Sequence, residues 1–216
     1  MLRSLLALTA AGSALLAPAF AEQGDFILRL RGIVVAPTDE VSDILPTFPG
    51  SSLDVQNAVV PELDLTYFLT DRIAVEAIAA ISPHGIDATG DLEGLGEVAE
   101  TLVLPPTITL QYHFAPDAAM RPYVGVGINY TLFFSSDARQ SLIDAVGPTS
   151  VDINDSIGVS FQAGVDFMIN ERWSLNADVK YIRIDTTATL DSGGLINQAD
   201  IELHPIVAGF GVGYHF

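Results

Sequence analysis

The chain contains no cysteine, which removes disulfides, thiolate metal sites and cysteine nucleophiles together. Positive charge is scarce as well: 9 Lys and Arg stand against 27 Asp and Glu among 216 residues, a formal net charge of −18. Without a basic patch to neutralise phosphates, nucleic acid is excluded as a partner. Charge of either sign is thin, at 17 % of residues, where an ordinary soluble domain carries roughly 25 %. Long apolar runs are also missing beyond residue 21, so no helix of the about 18 residues needed to cross a membrane is expected there. Yet 49 % of the residues are hydrophobic and the mean hydropathy is +0.39. A single-domain chain this apolar must spread its apolar residues over the faces of some other structure.

Residues 1–21, MLRSLLALTAAGSALLAPAFA, place one cation, Arg3, before an Ala- and Leu-rich stretch that ends in Ala19-Phe20-Ala21. That order predicts a secretory signal peptide over 1–21 and a mature domain over 22–216. The alternative, an N-terminal membrane anchor, is opposed by Pro18 and the small residues around it. Export of a cysteine-free chain fits a bacterial envelope.

After residue 21 the pattern has period two. Eight segments alternate apolar with polar or small residues: Phe26–Val35, Val59–Leu69, Ile73–Ile81, Leu104–Phe114, Tyr123–Phe133, Ile157–Ile169, Trp173–Tyr181 and Ile206–Phe216. In the first, Phe26, Leu28 and Leu30 share one parity and Arg29 and Arg31 the other. In the second, Leu63, Leu65, Tyr67 and Leu69 oppose Glu62, Asp64 and Thr66. Such alternation means strands with one apolar face.

A soluble sandwich would alternate too, so the connections arbitrate. Short ones (Thr70-Asp71-Arg72, Ala115–Met120, Asn170-Glu171-Arg172) take turns with long ones at about Ala36–Ala58, Ser82–Val103, Phe134–Ser156 and Ile182–Pro205. A sandwich has no reason to segregate loop length by end. A membrane barrel has short periplasmic turns, long extracellular loops, an even strand number, apolar residues outside and polar ones within. Aromatics at the segment ends, among them Tyr67, Tyr112, Phe114, Trp173 and Tyr214, supply interfacial girdles. The chain is therefore expected to be all-β: an eight-stranded antiparallel transmembrane β-barrel, embedded in the outer-membrane lipid of a Gram-negative bacterium.

The same residues resemble the OmpW family of outer-membrane proteins over essentially the whole mature chain. The resemblance is carried by Leu104-Pro105-Pro106-Thr107, the run from Arg121 to Thr131 (RPYVGVGINYT), Gly164-Val165-Asp166, Asp185-Thr186-Thr187-Ala188 and the terminal Gly213-Tyr214-His215-Phe216. It implies an eight-stranded barrel with a narrow, partly apolar lumen and a role in uptake of small hydrophobic compounds. Two positions depart from the family pattern: Lys180 stands where an aromatic is favoured, and His215 where the penultimate residue is commonly basic.

The inward parity collects Arg29, Arg31, Glu62, Asp64, Glu76, Asp166, Asp178 and Lys180, with Arg121 at the periplasmic end. A narrow barrel is filled by side chains, and charges there must pair or stay hydrated. An ion-pair network plugging the periplasmic half is the first expectation. An ion-selective pore is the second. Ile78 shares this parity and is a candidate for an apolar constriction or for simple packing.

No catalytic set stands out, and neither a cofactor nor a metal site of ordinary ligand spacing is expected. The histidines His84, His113, His204 and His215 are scattered. Ser82, His84 and Asp87 form a trio of suitable types, but nearness in sequence fixes no geometry. Pro61, Pro105, Pro106 and Pro205 fall near the starts of descending strands. Proline lacks the N–H that a ladder needs, so they mark either weakened pairing that allows a lateral exit or simple loop ends. Phe210, Val212, Tyr214 and Phe216 at the C-terminus resemble the signal read by the outer-membrane assembly machinery. Most acids lie in the long connections, from Asp39 to Glu202, against only Arg139 and Arg183, which suggests divalent cations as partners there. Besides uptake of small apolar solutes, a structural barrel or a surface receptor or adhesin remains open.

Overall fold

The computed structural model describes residues 22–38 and 40–216; the expected leader over 1–21 lies outside the described residues, as does Asp39. In chain order the strands are β1 (Phe26–Ala36), β2 (Glu40–Val41), β3 (Ser51–Val55), β4 (Ala58–Phe68), β5 (Ile73–Ala79), β6 (Ser82–Gly90), β7 (Glu97–Leu104) and β8 (Thr107–His113). They continue with β9 (Met120–Ala138), β10 (Ser150–Ile153), β11 (Ser156–Met168), β12 (Trp173–Ile182), β13 (Asp185–Ser192), β14 (Leu195–Glu202) and β15 (Ile206–His215). A short helix α1 (Gln140–Val146) lies between β9 and β10.

Eight strands close a barrel in the order β1-β4-β5-β8-β9-β11-β12-β15, each antiparallel to its neighbours. Closure is made by β15 against β1, from Ile27↔His215 to Ala36↔Ile206. The short turns are fixed by one device used twice. Thr70 Oγ1 accepts the N–H groups of Arg72 and Ile73, and Asn170 Oδ1 those of Arg172 and Trp173, which satisfies the donors of a tight reversal.

Along the barrel Leu30, Leu63, Ile108, Val126, Phe161 and Phe210 are exposed on the outside. A band of this kind is stable only against hydrocarbon. Aromatic pairs rim its turn end: Phe26–Tyr67 with centroids 4.6 Å apart, Tyr112–Phe114 at 5.1 Å and Trp173–Tyr214 at 5.0 Å.

The long connections are not loops. β6 and β7 pair with each other, with β3 and with the upper half of β9, while β10, β13, β14 and β2 make a second sheet. The wall thus extends beyond the membrane, and its polarity inverts as it does. Inward residues change from charged to apolar within single strands: Arg31 to Ile33 in β1, Glu62 to Val60 in β4, Glu76 to Ile78 in β5 and Lys180 to Ile182 in β12, all buried. Above that level an apolar core of Ile86, Val98, Ile153, Ile184, Leu190 and Ile201 lies between the sheets.

Candidate functional site

The charged residues of the lower lumen converge from five strands, and each of the eight named above is at most 6 % exposed. Arg29 holds Asp166 with two bonds, Nε–Oδ1 at 3.0 Å and NH2–Oδ2 at 2.7 Å, and reaches Asp64 at 3.2 Å. Arg31 pairs with Asp64 at 2.7 Å and Glu62 at 2.8 Å. Lys180 joins Glu62 at 2.9 Å and Asp178 at 2.8 Å. Neutral donors complete the set: Gln162 Nε2 donates to Glu76 at 2.8 Å and to Asp178 at 2.9 Å, and the Tyr123 hydroxyl donates to Asp178 at 3.1 Å. Glycines make the room. A Cβ at Gly164 would collide with the Tyr123 ring, and one at Gly213 would meet Arg29 Cγ at 3.3 Å.

At this level the lumen is filled by buried, mutually bonded side chains. Five carboxylates surround three cations, so each guanidinium or ammonium serves several acids at once. Losing one cation would strand buried carboxylates, which is far costlier than the net worth of any single pair. Lys180 is bound into this network. Arg121 is buried at the turn end, where its Nε donates to the Ala118 carbonyl at 3.0 Å.

Immediately above the plug lies an apolar cavity with about 60 Å³ of room for water centres. Ile33, Ile78, Ile182 and Val207 line it near the plug, Ile86, Val103, Ile184 and Leu203 higher up, and Glu62 also borders it.

The wall is interrupted beside it. Pairing between β5 and β8 ends at Ile78↔Thr107 and resumes between β6 and β7 at Ser82↔Val103. The register is the same on both sides, so Ala79–Ile81 and Leu104–Pro106 face each other unpaired. Pairing of β5 with β4 also ends at Leu63↔Ala79, and Pro61 lies two residues above that last rung. On their other edge the prolines are held: Tyr130 N–H donates to Pro106 O at 3.0 Å, and Asn129 Nδ2 to Pro105 O at 3.2 Å. Pro61, Pro105 and Pro106 thus gather around Ala80–Ile81. Pro205 does not: it borders the cavity elsewhere, where its carbonyl accepts the Ile182 N–H at 3.1 Å and the wall is continuous.

Phe210, Val212 and Tyr214 lie on the closing strand opposite Gly32, Leu30 and Leu28, and the Phe216 N–H donates to Phe26 O at 3.0 Å. The trio Ser82, His84 and Asp87 is not assembled. Ser82 and His84 are buried together, whereas Asp87 has the opposite parity and accepts from Gln56 Nε2. Asp185, Glu202 and His204 cluster at an exposed rim, with His204 Nε2 3.7 Å and 3.8 Å from the two carboxylates.

What the sequence reading missed is the upper lining, Val103, Ile184, Ile201 and Leu203, and the break at Ala80–Ile81. A usable signal existed. Thr186, Ala188 and Leu190 alternate with Asp185, Thr187, Thr189 and Asp191, a strand pattern of opposite sense to the membrane segments.

A family model described as the OmpW family matches residues 22–216. The chain is 40 % identical over 204 residues to outer membrane protein W of Vibrio cholerae serotype O1, covering 93 % of each chain. It is 26 % identical over 206 residues to the dibenzothiophene metabolism operon protein PahQ of Pseudomonas aeruginosa, covering 94 % of this chain and 93 % of that protein. The crystal structure of the outer membrane protein OprG from Pseudomonas aeruginosa superposes with a TM-score of 0.86 at 33 % identity, over 92 % of this chain and 99 % of that one. A closed eight-stranded barrel with an outward apolar band, matched by this model over its whole described length, belongs to the OmpW family and resides in the outer membrane of a Gram-negative bacterium.

Proposed function

We propose that the protein is a narrow channel for small apolar solutes, which enter among the extracellular sheets, occupy the cavity above the plug and leave sideways into the bilayer near Ala80–Ile81. The observation that carries this reading is one juxtaposition: an apolar cavity, floored by a buried ionic network, beside an unpaired stretch of wall. An apolar solute gains nothing by crossing buried carboxylates, whereas the hydrocarbon outside the wall is a favourable destination. Similarity to a protein named for a dibenzothiophene metabolism operon supports an apolar cargo.

The test is uptake of labelled small apolar solutes into liposomes holding the protein. Because the chain has no cysteine, Ile81→Cys with Leu104→Cys can be oxidised to seam the gap without side reactions. Seaming should slow uptake severalfold, with recovery on reduction, and Pro105→Val with Pro106→Val should slow it by restoring ladder donors. Unchanged uptake in both would overturn the lateral route. A second reading, a bracing barrel without transport, draws on the plug itself; absence of protein-dependent uptake would favour it.

A further inference from the structure

The cavity is apolar except for five side chains, Glu62, Ser82, His84, Thr101 and Thr186. Three of these have committed their polar atoms elsewhere. Glu62 serves Arg31 and Lys180, the Thr101 hydroxyl is bound to Ser136 at 2.9 Å, and the Thr186 hydroxyl donates to the Asn154 carbonyl.

Ser82 and His84 differ. His84 Nδ1 lies 2.8 Å from the Gln56 carbonyl oxygen, and its Nε2 lies 2.9 Å from Ser82 Oγ. A carbonyl only accepts, so Nδ1 carries the proton. Burial lowers the proton affinity of His84, against a smaller opposing effect of the Gln56 bond, so the ring is neutral and Nε2 is an acceptor. The Ser82 hydroxyl therefore donates to Nε2. Its oxygen, 3 % exposed at residue level, keeps acceptor lone pairs that no other hydrogen bond among the described residues engages.

Placement gives this pair a direction. His84 and Thr101 also border a second hollow of about 400 Å³ on the other side of the wall, lined by Gln56, Glu97, Glu100 and Arg139. The polar point therefore lies between the apolar cavity and this polar hollow. A molecule with one polar end can put that end here and its body against Ile33, Ile78 and Ile182.

We propose that Ser82, held by His84, is a hydroxyl-recognition point, so that the cavity selects small apolar molecules bearing one hydroxyl, such as phenols and short alcohols, over the matching hydrocarbons. The proposal rests on the uptake reading for its role in transport, but not for binding. A ligand hydroxyl donates to Ser82 Oγ instead of being buried unpaired. The pair is internally satisfied without ligand, so hydrocarbons are disfavoured only modestly. About a five- to tenfold preference corresponds to one ordinary hydrogen bond.

The experiment compares phenol with benzene, which differ by the hydroxyl alone. In lipid nanodiscs, ring nitrogen resonances of His84 are followed as each solute is added, and liposome uptake of both is measured in parallel. Phenol should shift the His84 signals and benzene should not. In the double variant Ser82→Ala with His84→Leu, the phenol-to-benzene uptake ratio should fall about five- to tenfold, with heat-modifiable mobility reporting that the barrel is folded. Equal His84 responses to both solutes, or an unchanged ratio in the variant, would overturn the recognition point and leave the uptake reading standing. A phenol-specific shift without uptake of either solute would do the reverse.

Discussion

The lower and upper halves of the molecule share β1, β4 and β9 but have opposite polarity, the upper half adding β3, β6 and β7 and the sheet of β10, β13, β14 and β2. Below Ile33, Val60, Ile78 and Ile182 the interior is charged and polar, apart from a small cluster of Ile27, Phe68 and Ala74 at the turn end, and the outside is apolar; above them the core is apolar and the outside carries many acids. What differs is the solvent outside. Hydrocarbon demands an apolar exterior and leaves a narrow lumen to buried polar groups that must satisfy one another. Water permits the usual arrangement, with apolar groups within and carboxylates without. The candidate site lies at the plane where the two schemes meet, because only there does an apolar cavity adjoin a lipid-facing wall.

The halves should therefore fail differently. Arg31→Met removes a cation shared by Glu62, Asp64 and Glu76, leaving buried carboxylates without their partner. We expect a loss of about 3–5 kcal/mol in unfolding free energy, measured by urea titration in vesicles. A loss below about 1 kcal/mol would show that the lower interior is hydrated, and so not a sealed plug. Ile201→Ala injures the upper core instead. It leaves a cavity beneath β14 and should cost about 2–4 kcal/mol, read as faster amide exchange in β13 and β14 with the membrane strands unchanged. Faster exchange throughout the barrel would mean that the two halves unfold as one.

This inversion also explains what could be read in advance. The eight membrane segments were legible because Leu28 and Leu30 against Arg29 and Arg31 is a strong contrast, and because Thr70 and Asn170 announce tight turns. Ser82–Val103 read as a loop because Pro83, Gly85 and Asp87 break its apolar pattern, and because its apolar residues, such as Ile86 and Ala88, face inward. A template that expects polar residues inside a barrel discards such a segment. The parity of Arg29 and Asp166 was legible too, but not their pairing, since 137 residues separate them in the chain. The cavity was out of reach for the same reason: its lining comes from segments far apart in sequence, assembled only when β15 closes on β1.

The smallest expected effect concerns the acidic exterior of the upper half. Asp185 and Glu202 are directly opposed across β13 and β14, and Asp54 and Asp87 across β3 and β6. Like charges in such cross-strand positions destabilise a sheet. Among the described residues, Arg139 lies 2.7 Å from Glu100 and also binds Glu97, and Arg183 lies 2.9 Å from Asp185. Monovalent salt weakens the remaining repulsion only by screening, over a Debye length of about 8 Å at physiological strength. A hard divalent cation does more, because it accepts several carboxylate oxygens at once. Millimolar calcium should therefore slow amide exchange in β13 and β14 more than sodium at matched ionic strength, with no effect on the membrane strands. Coincident exchange in the two salts would mean that the acids are simply solvated, and would remove divalent cations as partners of this surface.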